Sequence, residues 1–230
     1  MKRDSSTECW NKVGVEEWIE AAQNNDFRRY YIMPFTLDAI GEVGEKRILD
    51  LGCGEGGYSR ALADNGAVVT AVDCSEALLA YVANELFDLQ QDEYDIVLCS
   101  MMLMDVEDLD GTLKEIHRVL KSTGKVYLSI LHPCYKPKES KWIPEDGNIK
   151  VVVTDYFKPA EWAGEIKGIN AAVIYRHRTL SDYIKAFNRN GFILTDMNEP
   201  IPKEEHLKYS ARIGWLSKIP MYLFMELENK

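Results

Sequence analysis

No apolar run in this chain comes near the roughly 20 residues that a membrane-spanning helix needs. The opening stretch, MKRDSSTECW, lacks the apolar core of a secretory leader. Positive charge is in deficit. Lys and Arg number 27 against 37 Asp and Glu, a formal net charge of −10. That balance argues against a general binder of phosphate backbones and leaves room only for a local basic patch. Metal-type spacing is missing too. Cys9, Cys53, Cys74, Cys99 and Cys134 are scattered, and no His/Cys/Asp cluster has ligand spacing, so no metal is expected. The thiols read as reduced and buried, in a cytoplasmic protein. There are no internal repeats and no low-complexity tract. What is present is globular material: 230 residues, 46% hydrophobic, enough for one domain with an embellishment or small cap.

The chain alternates between two hydrophobic periods. VEEWIEAAQ and YIMPFTLDAI predict helices within an N-terminal helical segment, residues 1–40. Strands are expected at Arg47–Leu51, Val68–Val72 and Asp95–Cys99, with a helix over Tyr58–Asn65. Leu109–Leu120 is amphipathic, with Leu113, Ile116, His117 and Leu120 on one face. Gly124 is expected to end that helix before a strand at Lys125–Leu131. Residues 134–175 change texture, being rich in Lys, Pro, Tyr and Trp with weak periodicity, and read as an inserted cap. A helix follows at Leu180–Asn190, capped by Thr179 or Ser181 and stopped near Gly191. Phe192–Met197 and Pro220–Leu227 are the last strands, joined by a long connection without an obvious helix, so they can pair antiparallel. The expectation is an α/β, Rossmann-like, doubly wound and mostly parallel sheet with an antiparallel last strand, formed by residues 41–133 and 176–230.

The chemistry gathers at ILDLGCGEGG, Ile48 to Gly57. A buried strand runs into Gly52, Gly54, Gly56 and Gly57, where missing side chains allow a sharp turn or the close approach of a ligand. Gly52, Gly54 and Gly57 fit the dinucleotide fingerprint. Gly52, Gly54 and Gly56 fit a tighter pattern, and the glycines alone do not choose between them. The second strand ends in Asp73, whose carboxylate can accept hydrogen bonds from both hydroxyls of an adenosine ribose. Asp50 lies inside the first strand, where a buried acid needs partners. It reads either as an anchor for the glycine loop or as a group facing a cationic ligand. A pyrophosphate would be repelled there and a sulfonium would not.

With those residues in view, ILDLGCGEGGYSRALADNGAVVTAVDCSEALL resembles the first two motifs of the class I S-adenosylmethionine-dependent methyltransferases. EYDIVLCSMMLMDVEDLDGTLKEIHRVLKSTGKVYLSI resembles their fourth strand, the helix after it and the fifth strand. The likeness is close over residues 45–131 and looser towards the end. It implies a seven-stranded sheet whose last strand pairs antiparallel between its neighbours, and S-adenosyl-L-methionine as cofactor. It implies that Gly52, Gly54 and Gly56 pack against the methionine and ribose side, that Asp73 takes the ribose hydroxyls, and that Cys74 lies near the adenine. Ser100 and Met101 would line the methyl-transfer end. Arg28 resembles an arginine that some relatives use for the cofactor carboxylate; its plainer reading is a solvated helix charge.

One stretch departs from the family. Only 21 residues separate Asp73 from Asp95, too few for two crossovers and a strand. Either Ser75–Leu86 is a helix and one edge strand is lost, or Ala80–Val82 is a stub of that strand with Asn84 or Glu85 near the adenine. Both leave the adenine side more open and imply weaker cofactor binding.

Methyl transfer from a sulfonium is an in-line displacement, so the protein mainly aligns the acceptor and excludes water. A base is needed only where the acceptor must lose a proton. His132, after the strand KVYLSIL, and His177, in YRHRTLSDY, are the candidate bases. Each has a structural alternative, a turn at Pro133 and a helix-entry hydrogen bond respectively. LSILHPCYKP and YRHRTLSDYIKAFNRNGF resemble small-molecule methyltransferases of type-11-like architecture, which makes both histidines site-lining. Tyr135, Trp142, Tyr156 and Trp162 form either an aromatic lid or plain cap packing. Asp105, Glu107, Asp108 and Asp110 read as a solvated helix start, and Met101, Met102 and Met104 as apolar filler. The leading function is methyl transfer to a small-molecule acceptor, by a monomer or homodimer, without nucleic acid or membrane partners. A non-catalytic cofactor- or partner-binding module and a nicotinamide oxidoreductase are the alternatives.

Overall fold

The computed structural model describes residues 5–75, 78, 91–146, 148–166 and 168–230. Its centre is a sheet of six strands among the described residues: β1 (Arg47–Leu51), β2 (Val68–Val72), β3 (Tyr94–Ser100), β4 (Leu120–Leu131), β9 (Phe192–Asn198) and β10 (Tyr222–Asn229). Their order is β2-β1-β3-β4-β10-β9. The first four run parallel, and β10 lies antiparallel between β4 and β9. This is the expected topology. The readings placed on residues 75–86, and with them the question of an edge strand beside β2, lie largely outside the described residues.

Side-chain alternation puts one residue set on each face of the sheet. Leu49, Val97, Cys99, Leu128 and Ile130 join one buried cluster, while Ile48, Ile96, Leu98 and Tyr127 join another. The first cluster is closed by α5 (Leu109–Val119) and α6 (Leu180–Arg189). The second packs on α3 (Met33–Ile40) and α4 (Gly57–Asp64). Strands covered on both faces read as continuous apolar runs, which is why β1 and β3 stand out in the sequence.

Helix ends follow local chemistry. At α6, Thr179 Oγ1 accepts from Asp182 N at 3.2 Å and Asp182 Oδ2 accepts from Thr179 N at 2.8 Å, a reciprocal capping box that selects Thr179 over Ser181. Gly191 follows at φ +86°, in the left-handed region. Two boundaries differ from expectation. Gly124 does not end a helix: α5 stops at Val119 and the chain is already extended from Leu120, with the β3–β4 register slipping between Tyr94 and Ile96. Extra strand residues beside a register slip leave no periodic signature. The N-terminal segment holds α1 (Ser5–Trp10), α2 (Val15–Gln23) and a π-helical turn over Arg28–Ile32 that feeds α3.

Residues 134–177 hold two antiparallel hairpins, β5 (Lys141–Glu145) with β6 (Asn148–Val152), and β7 (Ala160–Glu165) with β8 (Ala172–His177). The long connection before β10, expected to lack a helix, contains a 3-10 turn at Glu204–Tyr209 and α7 (Ala211–Trp215).

Candidate donor site at the glycine bend

Equal register between β1 and β2, Leu51 opposite Val72, sets Gly52 beside Asp73 at one edge of the sheet. The strand order reverses around β1, and such switch points open a crevice at the carboxyl ends. The bend is tight. Gly52 has φ +77° and Gly54 φ +56°, and a Cβ on Gly52 would sit 2.7 Å from Met102 Cβ. Gly54 N donates to Asp73 Oδ2 at 2.9 Å, and Ser75 N to Asp73 Oδ1 at 2.9 Å. The carboxylate therefore clasps the bend and keeps lone pairs to spare.

A cavity of about 350 Å³ opens here. That lies within the range of about 300–1,000 Å³ typical of small-molecule and cofactor sites. Leu51, Gly52, Gly54, Asp73, Cys74, Leu78, Ser100 and Met101 line it from the sheet side, and Trp10, Trp18 and Asp105 from the other elements. Met101 is held at φ +59°, with its N–H on Ser129 O at 2.9 Å. A non-glycine residue in that region is strained, and such strain gathers at ligand-binding positions. Ser100 Oγ meets Tyr58 Oη at 3.1 Å and Ser129 Oγ at 3.2 Å. The Trp18 Nε1 donor is buried close to Gly54, and among the described residues no atom accepts a hydrogen bond from it.

Asp50 is buried and accepts from Ser59 Oγ at 2.6 Å. Burial pushes its carboxyl up to about 6, against the lowering pull of Ser59. It lies behind the bend and does not line the cavity. Gly56, at φ +76°, starts α4 and is also outside the lining. Arg28 is not a solvated charge. It lies 2.5 Å from buried Glu55, which also pairs with Arg60, and this ion cluster braces the loop from outside the cavity. Burial raises the Glu55 carboxyl, but the two arginines outweigh it and hold the net value down.

Neither histidine lines this cavity. His132 is buried, its Nε2 2.6 Å from Glu199 Oε1 and its Nδ1 accepting from Cys134 N at 3.2 Å. Burial lowers its pKa, and Glu199 pulls the other way. His177 is buried with Nε2 on Tyr156 O at 2.6 Å. Their neighbours in the same motif do more at the site. Arg178 donates to Val106 O at 2.5 Å and Leu103 O at 3.3 Å. Arg176 donates to Ser5 Oγ at 2.7 Å and also to Asp105 O and Ser6 Oγ. Both staple the loop after β3 to β8.

That loop carries Asp105, which is not solvated as the acidic run suggested. It lines the cavity, and burial pushes its carboxyl up to about 7, while Arg176 and a hydrogen bond from Trp10 pull it down. Of the thiols, Cys53 and Cys99 are buried and burial raises both, whereas Cys74 is exposed at the cavity mouth. The described residues hold no group of three or more His, Cys, Asp or Glu placed for a metal, and no described helix is long and apolar enough to cross a membrane.

The glycine bend, the carboxylate tip on β2 and the antiparallel closing strand together define a Rossmann-like domain of methyltransferase type. The chain matches the family model of a methyltransferase domain over residues 49–128. It is similar to a ubiquinone biosynthesis O-methyltransferase of Pseudomonas syringae pv. tomato, 31% identical over 113 residues, covering 42% of this chain and 49% of the relative. One of Coxiella burnetii is 32% identical over 150 residues, covering 58% and 61%. The chain thus spans about half to three fifths of these relatives' length. An S-adenosylmethionine-dependent methyltransferase from Mesorhizobium loti superposes with a TM-score of 0.73 at 25% identity, over 90% of this chain and 99% of that one.

Proposed function

We propose that this chain transfers a methyl group from S-adenosyl-L-methionine to a small-molecule acceptor by in-line displacement. The observation that carries the reading is the Asp73 clasp on Gly54 at the mouth of the 350 Å³ cavity. The residues present fit the cofactor: the bend admits close approach, and the orphaned Trp18 N–H needs an acceptor that no described protein atom supplies. When bound, the cofactor brings a methyl group already activated on sulfur.

In this reading Asp73 takes the ribose hydroxyls, Cys74 and Leu78 wall the adenine side, and Ser100 and Met101 wall the methyl end. Asp50 and Arg28 brace the bend from behind. Asp105, poised near neutrality in the cavity wall, is the proton acceptor where the acceptor molecule must lose one. His132 and His177, spent on internal bonds, position the chain around the site. Residues 1–40 and 134–175 cover the sheet edge as helical segment and cap. A cytoplasmic monomer or homodimer belongs to the same proposal, supported by five cysteines of which none is in a disulfide.

Thermal melting with S-adenosylhomocysteine and with NAD tests it. At about 100-fold excess over Kd a ligand stabilises by about 2.7 kcal/mol, which raises Tm by roughly 5–10 °C in a chain of this size. Such a shift with S-adenosylhomocysteine alone is expected. A shift with NAD alone would make this an oxidoreductase, and none with either would favour a non-catalytic module.

A further inference from the structure

A second and larger cavity, about 780 Å³, lies between α2, the β7–β8 hairpin and the first residues of β10. Leu131, at the carboxyl end of β4, and Tyr222 form part of its lining, so it opens on the same sheet edge as the donor site. Met101 connects the two. It lines the donor cavity and packs against the apolar cluster of Phe27, Met221 and Tyr222, which line the larger one.

Its chemistry is distinctive in one respect. The Lys136 side chain is half-buried, and among the described residues no carboxylate forms an ion pair with it or with Arg212. Burial lowers the Lys136 pKa, and the nearby positive charge of Arg212 lowers it further. Glu20, Asp26 and Glu165 also line the cavity, yet none relieves that ammonium. A half-buried cation beside a second cation is costly unless an anion joins them. The loop that holds Lys136 is fixed: its N–H donates to His132 O at 3.1 Å, and Trp142 Nε1 donates to Tyr135 O at 3.0 Å. The His132 ring braces the same turn, its Nδ1 accepting from Cys134 N at 3.2 Å. Close by, Trp162 and Tyr175 stack at 5.6 Å and 20°, both lining the cavity.

We propose that this cavity is the acceptor site and takes an aromatic molecule bearing an anionic oxygen group, with Lys136 and Arg212 holding the anion and the Trp162–Tyr175 stack packing against the ring from one side. As a statement about the methyl acceptor it rests on the methyltransferase reading. As a statement about binding it stands alone.

Calorimetric titration of the whole chain separates the two. The probes are 4-hydroxybenzoate, phenyl phosphate, neutral 4-hydroxybenzamide and inorganic phosphate, with S-adenosylhomocysteine titrated separately. The aromatic anions should bind at least about tenfold more tightly than the amide or phosphate, and Lys136→Gln and Arg212→Gln should each remove about tenfold of that, the worth of one charge-assisted hydrogen bond. S-adenosylhomocysteine affinity should be unchanged in both variants. The better of the two aromatic anions identifies carboxylate or phosphate as the group held. Equal binding of 4-hydroxybenzoate and 4-hydroxybenzamide, or full affinity in both variants while their melting curves match the parent, overturns the proposal. Inorganic phosphate binding as tightly as the aromatic anions removes the ring from it. Failure of S-adenosylhomocysteine alone would sink the methyltransferase reading and leave the anion site standing.

Discussion

The two cavities at the sheet edge are built in opposite ways. The donor cavity is assembled mainly from three short runs at strand ends, around residues 51–54, 72–74 and 100–106, together with Leu78, and α1 and α2 close it. Backbone does most of the work there: a bend at positive φ, amide donors and one strand-tip carboxylate. The larger cavity draws on α2, the loop after β4, the β7–β8 hairpin, α7 and β10, and its character comes from side chains. A site made of backbone shape tolerates little change in what fills it. A site made of side chains can be retuned one residue at a time.

That contrast breaks most sharply at Gly52. Gly52→Val combines a β-branched residue at φ +77° with a contact 2.7 Å from Met102 Cβ, and should cost roughly 3 kcal/mol. Melting should show the loss, and S-adenosylhomocysteine binding should disappear. Asp73→Asn comes next. The amide oxygen can still accept from Gly54 N, but the amide NH2 then faces Ser75 N–H, so the change removes the charge and one of the two backbone bonds, at a cost of about 1 kcal/mol. Affinity for S-adenosylhomocysteine should fall about tenfold to a hundredfold by calorimetry, with Tm moved far less.

Asp105 sharpens the comparison, since it belongs to the donor cavity yet acts through its side chain. Its folded pKa is raised to about 7. The native state therefore holds a proton that the unfolded chain releases near pH 4. The associated stability is present below that value and is lost as pH rises to about 7. Asp105→Asn should flatten the dependence of Tm on pH between about 4 and 7. In an assay it should also remove the rise in rate across neutrality. The smallest effect falls on the histidines. His132→Asn and His177→Gln should each cost about 1 kcal/mol of stability. The shape of the pH–rate profile should not change, and a changed profile would return the base to a histidine.

How much of this was legible in the residues follows the same division. ILDLGCGEGG and VVTAVD announce strand, bend and acid because a doubly covered strand and a side-chain-free turn each leave a local signature. The antiparallel end was legible from two strands without a clear crossover helix between them. Gly124 misled because a glycine after an amphipathic helix imitates a stop, while the strand had already begun at Leu120. Asp105 was misread because acids near a helix start are normally solvated. Its burial depends on Trp10 and Arg176, which lie 95 and 71 residues away in the chain. Arg176 and Arg178 were hidden beside a histidine that looked more chemical. Lys136 and Arg212 meet only through the fold, and no local pattern links them.

The most direct test of the central claim is a calorimetric titration of S-adenosylhomocysteine into the unmodified chain and into Asp73→Asn. Saturable binding to the parent that weakens at least about tenfold in the variant is the expected result. No heat with the parent, or equal affinity in the two proteins, would contradict the assignment of the glycine bend and the β2 carboxylate as the seat of the methyl donor.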